Sequence, residues 1–141
     1  MILLTLAIAL LAQTADPAQA EQPCATIDTA LPAELAGWRT TGTGVAFGSS
    51  FRMPVSGGSG STTLPVMAAG RYRVALDQPG WIELTRDGRV LESVAHGHGP
   101  RCSSIRKIVE FDLQPGAHQL KLTKIAKDQA RVMVWTAAQK E

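Results

Sequence analysis

Residues 70–90, GRYRVALDQPGWIELTRDGRV, decide the fold class of this chain. Near their start, Tyr72, Val74 and Leu76 alternate with charged or small residues, and an alternation of period two indicates a strand with one buried face. Residues 116–122, GAHQLKL, repeat the arrangement of a glycine, an aromatic ring and two aliphatic side chains. Both segments are therefore predicted to be core strands entered through a glycine.

A hairpin is predicted in the second half of the same stretch. Pro79-Gly80 turns the chain, and Trp81 to Arg86 form the next strand. Asp87-Gly88 has the residues of a two-residue hairpin turn, so we expect the return strand to run from Val90 to His96.

The remainder of the chain adds further short strands and very little helix. One helical turn is predicted at 31–37, and a mobile loop rich in Gly and Ser at 56–61. About seven short strands punctuated by turns favour an all-β fold in which two antiparallel sheets form a sandwich, with a jelly roll as the alternative. The strands outside the hairpin are predicted at 45–47, 51–53, 71–76, 105–113, 118–123 and 132–135.

An export signal is predicted at the start of the chain. Ile2 to Ala12 is an apolar run too short to cross a bilayer, and Pro17 ends it. Residues 18–20, Ala-Gln-Ala, supply the small side chains that a signal peptidase requires, so residues 1–20 are interpreted as a signal peptide. Residues 21–141 then form a single β-sandwich domain, and the expected location is the periplasm or the exterior of the cell.

The charge distribution argues against two classes of partner. Residues 1–20 contain one ionisable side chain, Asp16, so their removal raises the formal net charge from +2 to +3. The Lys and Arg residues are scattered among acidic residues, which argues against nucleic-acid binding. No later apolar run approaches the roughly 20 residues of a membrane span, so none is expected after the leader is cleaved.

Two cysteines, Cys24 and Cys102, most simply form one disulfide in an exported chain. The loop that such a bond closes is long, and on the chain-entropy model it stabilises the fold by about 4 to 5 kcal/mol. The alternative interpretation leaves Cys102 as a free thiol.

The segment His96-Gly97-His98 is the one cluster typical of a metal site. On an extended backbone, residues two positions apart point the same way, so both imidazoles could share one zinc, copper or iron ion. Cys102 or His118 would complete the donor set. A disulfide would remove the Cys102 thiolate, and a carboxylate such as Glu92 would then have to join the histidines. The alternative is that His96 and His98 are solvated loop residues, that His118 is a core-edge ring, and that no cofactor is bound.

Other ligands would need an aromatic or charged side chain at the surface. Trp81 is a candidate sugar-stacking residue, together with Trp38, if the two rings are exposed. The alternative is that both rings belong to the core, where Trp38 would anchor the helical turn at 31–37. Arg101, in the loop that carries the two histidines, is a second candidate ligand-binding residue. The sequence contains no nucleophile elbow, no zinc-protease helix and no nucleotide-binding glycine motif, so no catalytic residue is assigned.

Three segments carry a resemblance to a known group of proteins: 69–76 (AGRYRVAL), 81–84 (WIEL) and 96–107 (HGHGPRCSSIRK). They resemble small exported proteins of alphaproteobacteria that have no established function, some of which are labelled homogentisate 1,2-dioxygenase. That label implies a cupin-like jelly roll with an iron site on the only histidines of the chain, His96, His98 and His118.

Two positions depart from the cupin pattern. Cys102 stands where that pattern has a glutamate, and Leu122 stands where it has an asparagine. We therefore interpret the chain as a non-catalytic periplasmic module that binds a protein, a glycan or a metal through its loops. The alternative is a small cupin-like metalloenzyme, a ring-cleaving dioxygenase, that uses the three histidines.

Overall fold

The structure is a computed structural model that describes residues 23–137, so the predicted signal peptide at 1–20 lies outside the described residues. Within this range the chain forms one 3-10 helix, Ala33–Arg39, and ten strands. No helix in this part of the chain is long and apolar enough to cross a membrane. The strands are β1 (Thr41–Gly42), β2 (Ser50–Pro54), β3 (Gly60–Val66), β4 (Gly70–Leu76), β5 (Trp81–Arg86), β6 (Arg89–Val90), β7 (Ala95–Gly97), β8 (Lys107–Leu113), β9 (Gly116–Thr123) and β10 (Gln129–Thr136).

The strands form two sheets that pack face to face. The first sheet has six strands in the order β1-β2-β10-β4-β8-β7, and the second has four in the order β3-β9-β5-β6. Neighbouring strands are antiparallel except β1 and β2. The pairs β2·β10, β3·β9, β4·β8 and β5·β6 are those of one long hairpin folded over on itself, which is the pairing order of a jelly roll. The predicted all-β sandwich is confirmed, and its strand order is that of the jelly-roll alternative.

The main core fills the space between the two sheets. Val74 and Leu76 of β4 come from the six-stranded sheet, Leu120 and Leu122 of β9 come from the four-stranded sheet, and all four side chains are fully buried. Alternate residues of a strand point to the same face of its sheet, which explains the period-two pattern of both segments. Burying one such side chain stabilises the fold by about 1.5 to 3 kcal/mol.

A second, smaller core lies on the outer face of the six-stranded sheet. Leu35 and Trp38 of the 3-10 helix pack there against Met133 and Trp135 of the central strand β10. Because β10 is covered on both faces, residues 132–135 are all buried and read as a continuous apolar run.

The 3-10 helix differs from the predicted helical turn. It begins at Ala33, after Pro32, and continues to Arg39, so Gly37 lies inside the helix and does not end it. A Cβ atom at position 37 would lie 1.7 Å from the carbonyl oxygen of Gly48. Gly37 therefore allows the helix to pack closely against the neighbouring loop. In the sequence, a glycine needed for close packing looks the same as a glycine that ends a helix.

Residues 56–61 form a tight connection where a mobile loop was predicted. Ser56 and Ser59 exchange two backbone hydrogen bonds, and Gly57 and Gly58 have positive φ angles of 60° and 81°. The chain then enters β3 directly, so the last residues of the expected loop belong to a strand.

Candidate functional site

A crossover between the two sheets creates the candidate site. Asp87 and Gly88 have φ angles of 51° and 75°, as expected for the predicted hairpin turn, but the return strand β6 ends at Val90. The Leu91 N–H still donates to the backbone carbonyl of Leu84 on β5, at 2.8 Å. The Val94 N–H instead donates to the backbone carbonyl of Glu110 on β8, also at 2.8 Å. The predicted continuous return strand is therefore wrong, because residues 91–94 leave one sheet and join the edge of the other.

The crossover leaves part of β5 without a neighbouring strand. On one side, β5 pairs with β9 from Trp81 to Thr85. On the other side, β6 pairs only with Thr85 and Arg86. Within residues 23–137, the edge of β5 from Trp81 to Glu83 consequently faces an open groove between the two sheets, which we call the edge groove.

Three adjoining hollows make up the edge groove. The first, of about 380 Å³, is lined by Glu83, Glu92 and Ser93 over buried Phe111, and we call it the acidic hollow. The third, of about 470 Å³, is the basic hollow. A middle hollow of about 190 Å³ shares Trp81 with the acidic hollow and shares His96 and Lys107 with the basic hollow. The residues lining the basic hollow are Gln78, Pro79, Gly80, His96, Gly97, His98, Arg106 and Lys107.

Trp81 stands at the junction of the acidic and middle hollows. It is the first residue of β5, and because Ile82 points into the core, the Trp81 ring points outwards and is 56% exposed. Its backbone is held in register by pairing with Thr123 of β9. The Lys107 ammonium lies 4.8 Å from the ring centroid, a cation–π contact that restrains the indole. The structure thus places the predicted platform residue Trp81 at the surface.

Trp38 does not share this position. Its side chain is fully buried in the second core, as expected for a ring that anchors the helical turn, so the condition for a platform with Trp81 is not met. Its indole N–H donates to the Ser104 hydroxyl at 2.9 Å. Trp38 therefore anchors the 3-10 helix and the loop before β8, and has no surface for a ligand.

The structure brings two of the three predicted metal-site histidines together. His96 on β7 and His98 just after it are exposed, and both line the basic hollow. His118 lies elsewhere, on β9 in the sandwich interior, where it is 1% exposed. Its Nδ1 lies 3.0 Å from the Gly116 carbonyl oxygen, which fits the tautomer with the proton on Nδ1. Within residues 23–137, no three His, Cys, Asp or Glu side chains form a group suited to a metal ion.

The predicted disulfide between Cys24 and Cys102 is confirmed, so neither sulfur is a thiolate. It joins the N-terminal segment to the loop 98–106, which carries His98 and Arg106 of the basic hollow. The Asp28 N–H donates to the Cys102 carbonyl at 2.9 Å, and the Asp28 carboxylate accepts from the Ser104 N–H at 2.7 Å. Disulfide and hydrogen bonds together fix one wall of the basic hollow.

Arg131 connects this network to the six-stranded sheet. Its guanidinium lies 4.6 Å from the Trp38 ring centroid and donates to the Trp38 carbonyl and to the Ser50 hydroxyl. Burial lowers the pKa of Arg131, and the nearby carboxylates of Asp28 and Asp77 oppose that shift. The guanidinium is nevertheless charged at neutral pH, since an arginine pKa starts far above it.

Some groove residues had no signal in the sequence. Lys107 and Ser93 were not candidates, because their positions beside Trp81 depend on the strand order of two different sheets. Glu92 was considered only as an extra metal ligand, and it lines the acidic hollow. Arg101 lies exposed in the loop 98–106 and does not line the edge groove, so its ligand-binding role stays a prediction.

The edge groove offers an aromatic face and hydrogen-bonding groups of several kinds. Trp81 supplies the face, the carboxylates of Glu83 and Glu92 accept hydrogen bonds, and Lys107 donates them. This set suits reversible binding of a polar ligand that has one apolar face. Comparison of the chain with protein-family models, with curated proteins and with solved structures finds no match.

Proposed function

We propose that this protein is an exported, non-catalytic binding module that holds a glycan in the edge groove. The exposure of Trp81 carries the proposal. A tryptophan ring is among the most costly side chains to leave in water, and this one is held at the surface by strand pairing and by Lys107. More than half of its surface stays accessible with Lys107 in place.

The surroundings of Trp81 match the two faces of a sugar ring. The C–H face of a pyranose is apolar and stacks on an indole, while its hydroxyl groups need donors and acceptors at the rim. Glu83, Glu92 and Ser93 provide acceptors on one side of the ring, and Lys107 and His96 lie on the other. Jelly rolls include lectin domains, which supports the proposal by analogy of fold alone.

The disulfide supports an exported location. Disulfides persist in oxidising compartments, such as the periplasm and the cell exterior, and are rare in the cytosol. Together with the predicted leader at 1–20, the Cys24–Cys102 bond favours a periplasmic or secreted protein. A glycan of the cell envelope or its surroundings would then be within reach.

A small metalloenzyme is the alternative hypothesis, and the proximity of His96 and His98 is the observation in its favour. It predicts near-stoichiometric iron or zinc in the purified protein. It also predicts loss of that metal in a His96→Ala, His98→Ala double variant. A periplasmic protein as the ligand is a further alternative, for which capture of a partner that competes with glycan would be the check.

The proposal is tested by calorimetric titration of the exported protein with a panel of soluble oligosaccharides. We expect at least one oligosaccharide to bind, and Trp81→Ala to weaken that binding about tenfold, since an aromatic contact contributes about 0.5 to 1.5 kcal/mol beyond area burial. Met67→Ala is the matched control, because Met67 is 87% exposed and lies outside the groove. Binding that is equal in Trp81→Ala and wild type, or no binding across the panel, would contradict the proposal.

A further inference from the structure

The charges of the edge groove are separated along its length. Glu83 and Glu92 line the acidic hollow at one end. At the other end, Arg106 and Lys107 line the basic hollow, together with the imidazoles of His96 and His98, and no acidic residue lines it. The same groove therefore presents a negative end and a positive end on either side of Trp81.

Within residues 23–137, neither of the two basic side chains of the basic hollow, Arg106 and Lys107, forms an ion pair. Other arginines nearby are paired: Arg71 with Asp112 at 3.0 Å, and Arg73 with both Glu34 and Glu110. The basic hollow thus differs from the surface around Arg71 and Arg73, where carboxylates offset the positive charges.

Lys107 is held in place before any ligand arrives. Its ammonium donates to the Gly80 carbonyl at 3.2 Å and lies over the Trp81 ring. Gly80 packs closely against its neighbours, since a Cβ there would lie 2.3 Å from Ile125 Cδ1 and 3.3 Å from the Thr123 carbonyl oxygen. A fixed cation loses little side-chain entropy on binding, so it favours an anion at one defined place beside the indole.

We propose that the basic hollow binds an anionic substituent, a carboxylate or a phosphate ester, of the glycan that stacks on Trp81. This inference rests on the proposed function and specifies its ligand class as an acidic glycan. The anion lies at Arg106 and Lys107, and the neutral hydroxyl groups extend towards Glu83 and Glu92. The charge separation thus fixes the direction in which the saccharide lies in the groove and disfavours a densely charged polyanion, which would meet the two glutamates.

The test uses three oligosaccharides with the same backbone and length: one neutral, one with a terminal carboxylate and one with a terminal phosphate. Titration calorimetry of the full chain at low ionic strength should show at least one anionic form binding about tenfold tighter than the neutral form, since a hydrogen bond to a charged group is stronger than one between neutral groups. The two anionic arms distinguish carboxylate from phosphate. Raising the salt concentration should reduce the preference.

Variants assign the preference to the basic hollow. Arg106→Gln and, separately, Lys107→Gln should abolish most of the preference for the anionic form. Arg52→Gln is the matched control, because it removes the same charge at a distant place. Arg52 is exposed on β2, which lies four strands from β7 in the same sheet. Circular dichroism and the thermal midpoint confirm that each variant is folded.

The outcomes separate this inference from the proposed function. If all three oligosaccharides bind equally and Trp81→Ala weakens them all, the glycan proposal stands and the anionic subsite is wrong. If the anionic forms are preferred but Trp81→Ala has no effect, the glycan proposal is wrong and the basic hollow binds the anion alone. An equal loss of preference in Arg52→Gln and Arg106→Gln would overturn the assignment to the basic hollow.

Discussion

The ammonium group of Lys107 lies 4.8 Å from the centroid of the Trp81 ring, and this contact joins the two sheets at their open edge. Lys107 is the first residue of β8 in the six-stranded sheet, whereas Trp81 is the first residue of β5 in the four-stranded sheet. The same pair forms the middle of the edge groove. One contact therefore contributes to the stability of the sandwich edge and to the geometry of the candidate site.

The coupling between these two side chains is measurable in a double-mutant cycle. We expect Trp81→Ala and Lys107→Ala, singly and together, to show an interaction free energy of about 0.5 to 1 kcal/mol, as for an exposed cation–π pair. Urea unfolding followed by far-UV circular dichroism gives the four free energies of unfolding. Strict additivity of the two substitutions would show that the contact contributes nothing to stability.

The two tryptophans at 38 and 81 should differ sharply in their effect on stability. Trp38→Ala removes a fully buried ring and the hydrogen bond to Ser104, so we expect a loss of about 3 to 5 kcal/mol in the free energy of unfolding. Trp81→Ala, at the surface, should change it by less than about 1 kcal/mol, including the lost contact with Lys107. Chemical denaturation of the two variants checks this difference, and similar losses would be inconsistent with the two-core arrangement.

Removing the disulfide should destabilise the fold and loosen one wall of the groove. Replacing Cys24 and Cys102 with serine should lower the free energy of unfolding by about 2 to 5 kcal/mol. Amide hydrogen exchange should become faster mainly in the loop 98–106 and around Asp28, whose hydrogen bonds the disulfide supports. Reduction of the wild-type protein serves as the control and should give the same loss. Unchanged stability and unchanged amide exchange in the serine variant would show that the hydrogen bonds hold this region in place without the disulfide.

His118 should be replaceable by a buried apolar residue of similar size. His118→Leu loses the hydrogen bond to Gly116 but adds an apolar side chain to a strand that already buries Leu120 and Leu122. We expect a change in the free energy of unfolding below about 1.5 kcal/mol, whereas His118→Ala leaves a cavity and should cost more. Elemental analysis of the same samples adds a second readout. A metal present in the wild type and lost in His118→Leu would favour the metalloenzyme alternative.

Much of the fold was predictable from local patterns. The strands β4 and β9 followed from alternation alone, because each has one face in the main core. The disulfide followed from the combination of two cysteines and a leader. β3 was missed, since its Pro65 argues against a strand; Pro65 is tolerated because β3 is the outermost strand of the four-stranded sheet.

The candidate site was predictable only in part. Trp81 was a candidate residue from the sequence, but its exposure follows from the direction of Ile82 towards the core. The position of Lys107 follows from the crossover at 91–94. In the sequence this crossover looks like part of a continuous strand, because no glycine or proline interrupts residues 90–96. Contacts between two sheets depend on strand order, and no local pattern encodes that order.

The indole N–H signals of the three tryptophans in a ¹⁵N-resolved NMR titration test the central claim most directly. Adding an oligosaccharide that binds should shift the Trp81 indole signal in a saturable manner, with the midpoint that calorimetry gives. The signals of Trp38 and Trp135, which are buried in the second core, should stay in place. A bound oligosaccharide that leaves the Trp81 signal unmoved would contradict the assignment of the edge groove as the glycan site.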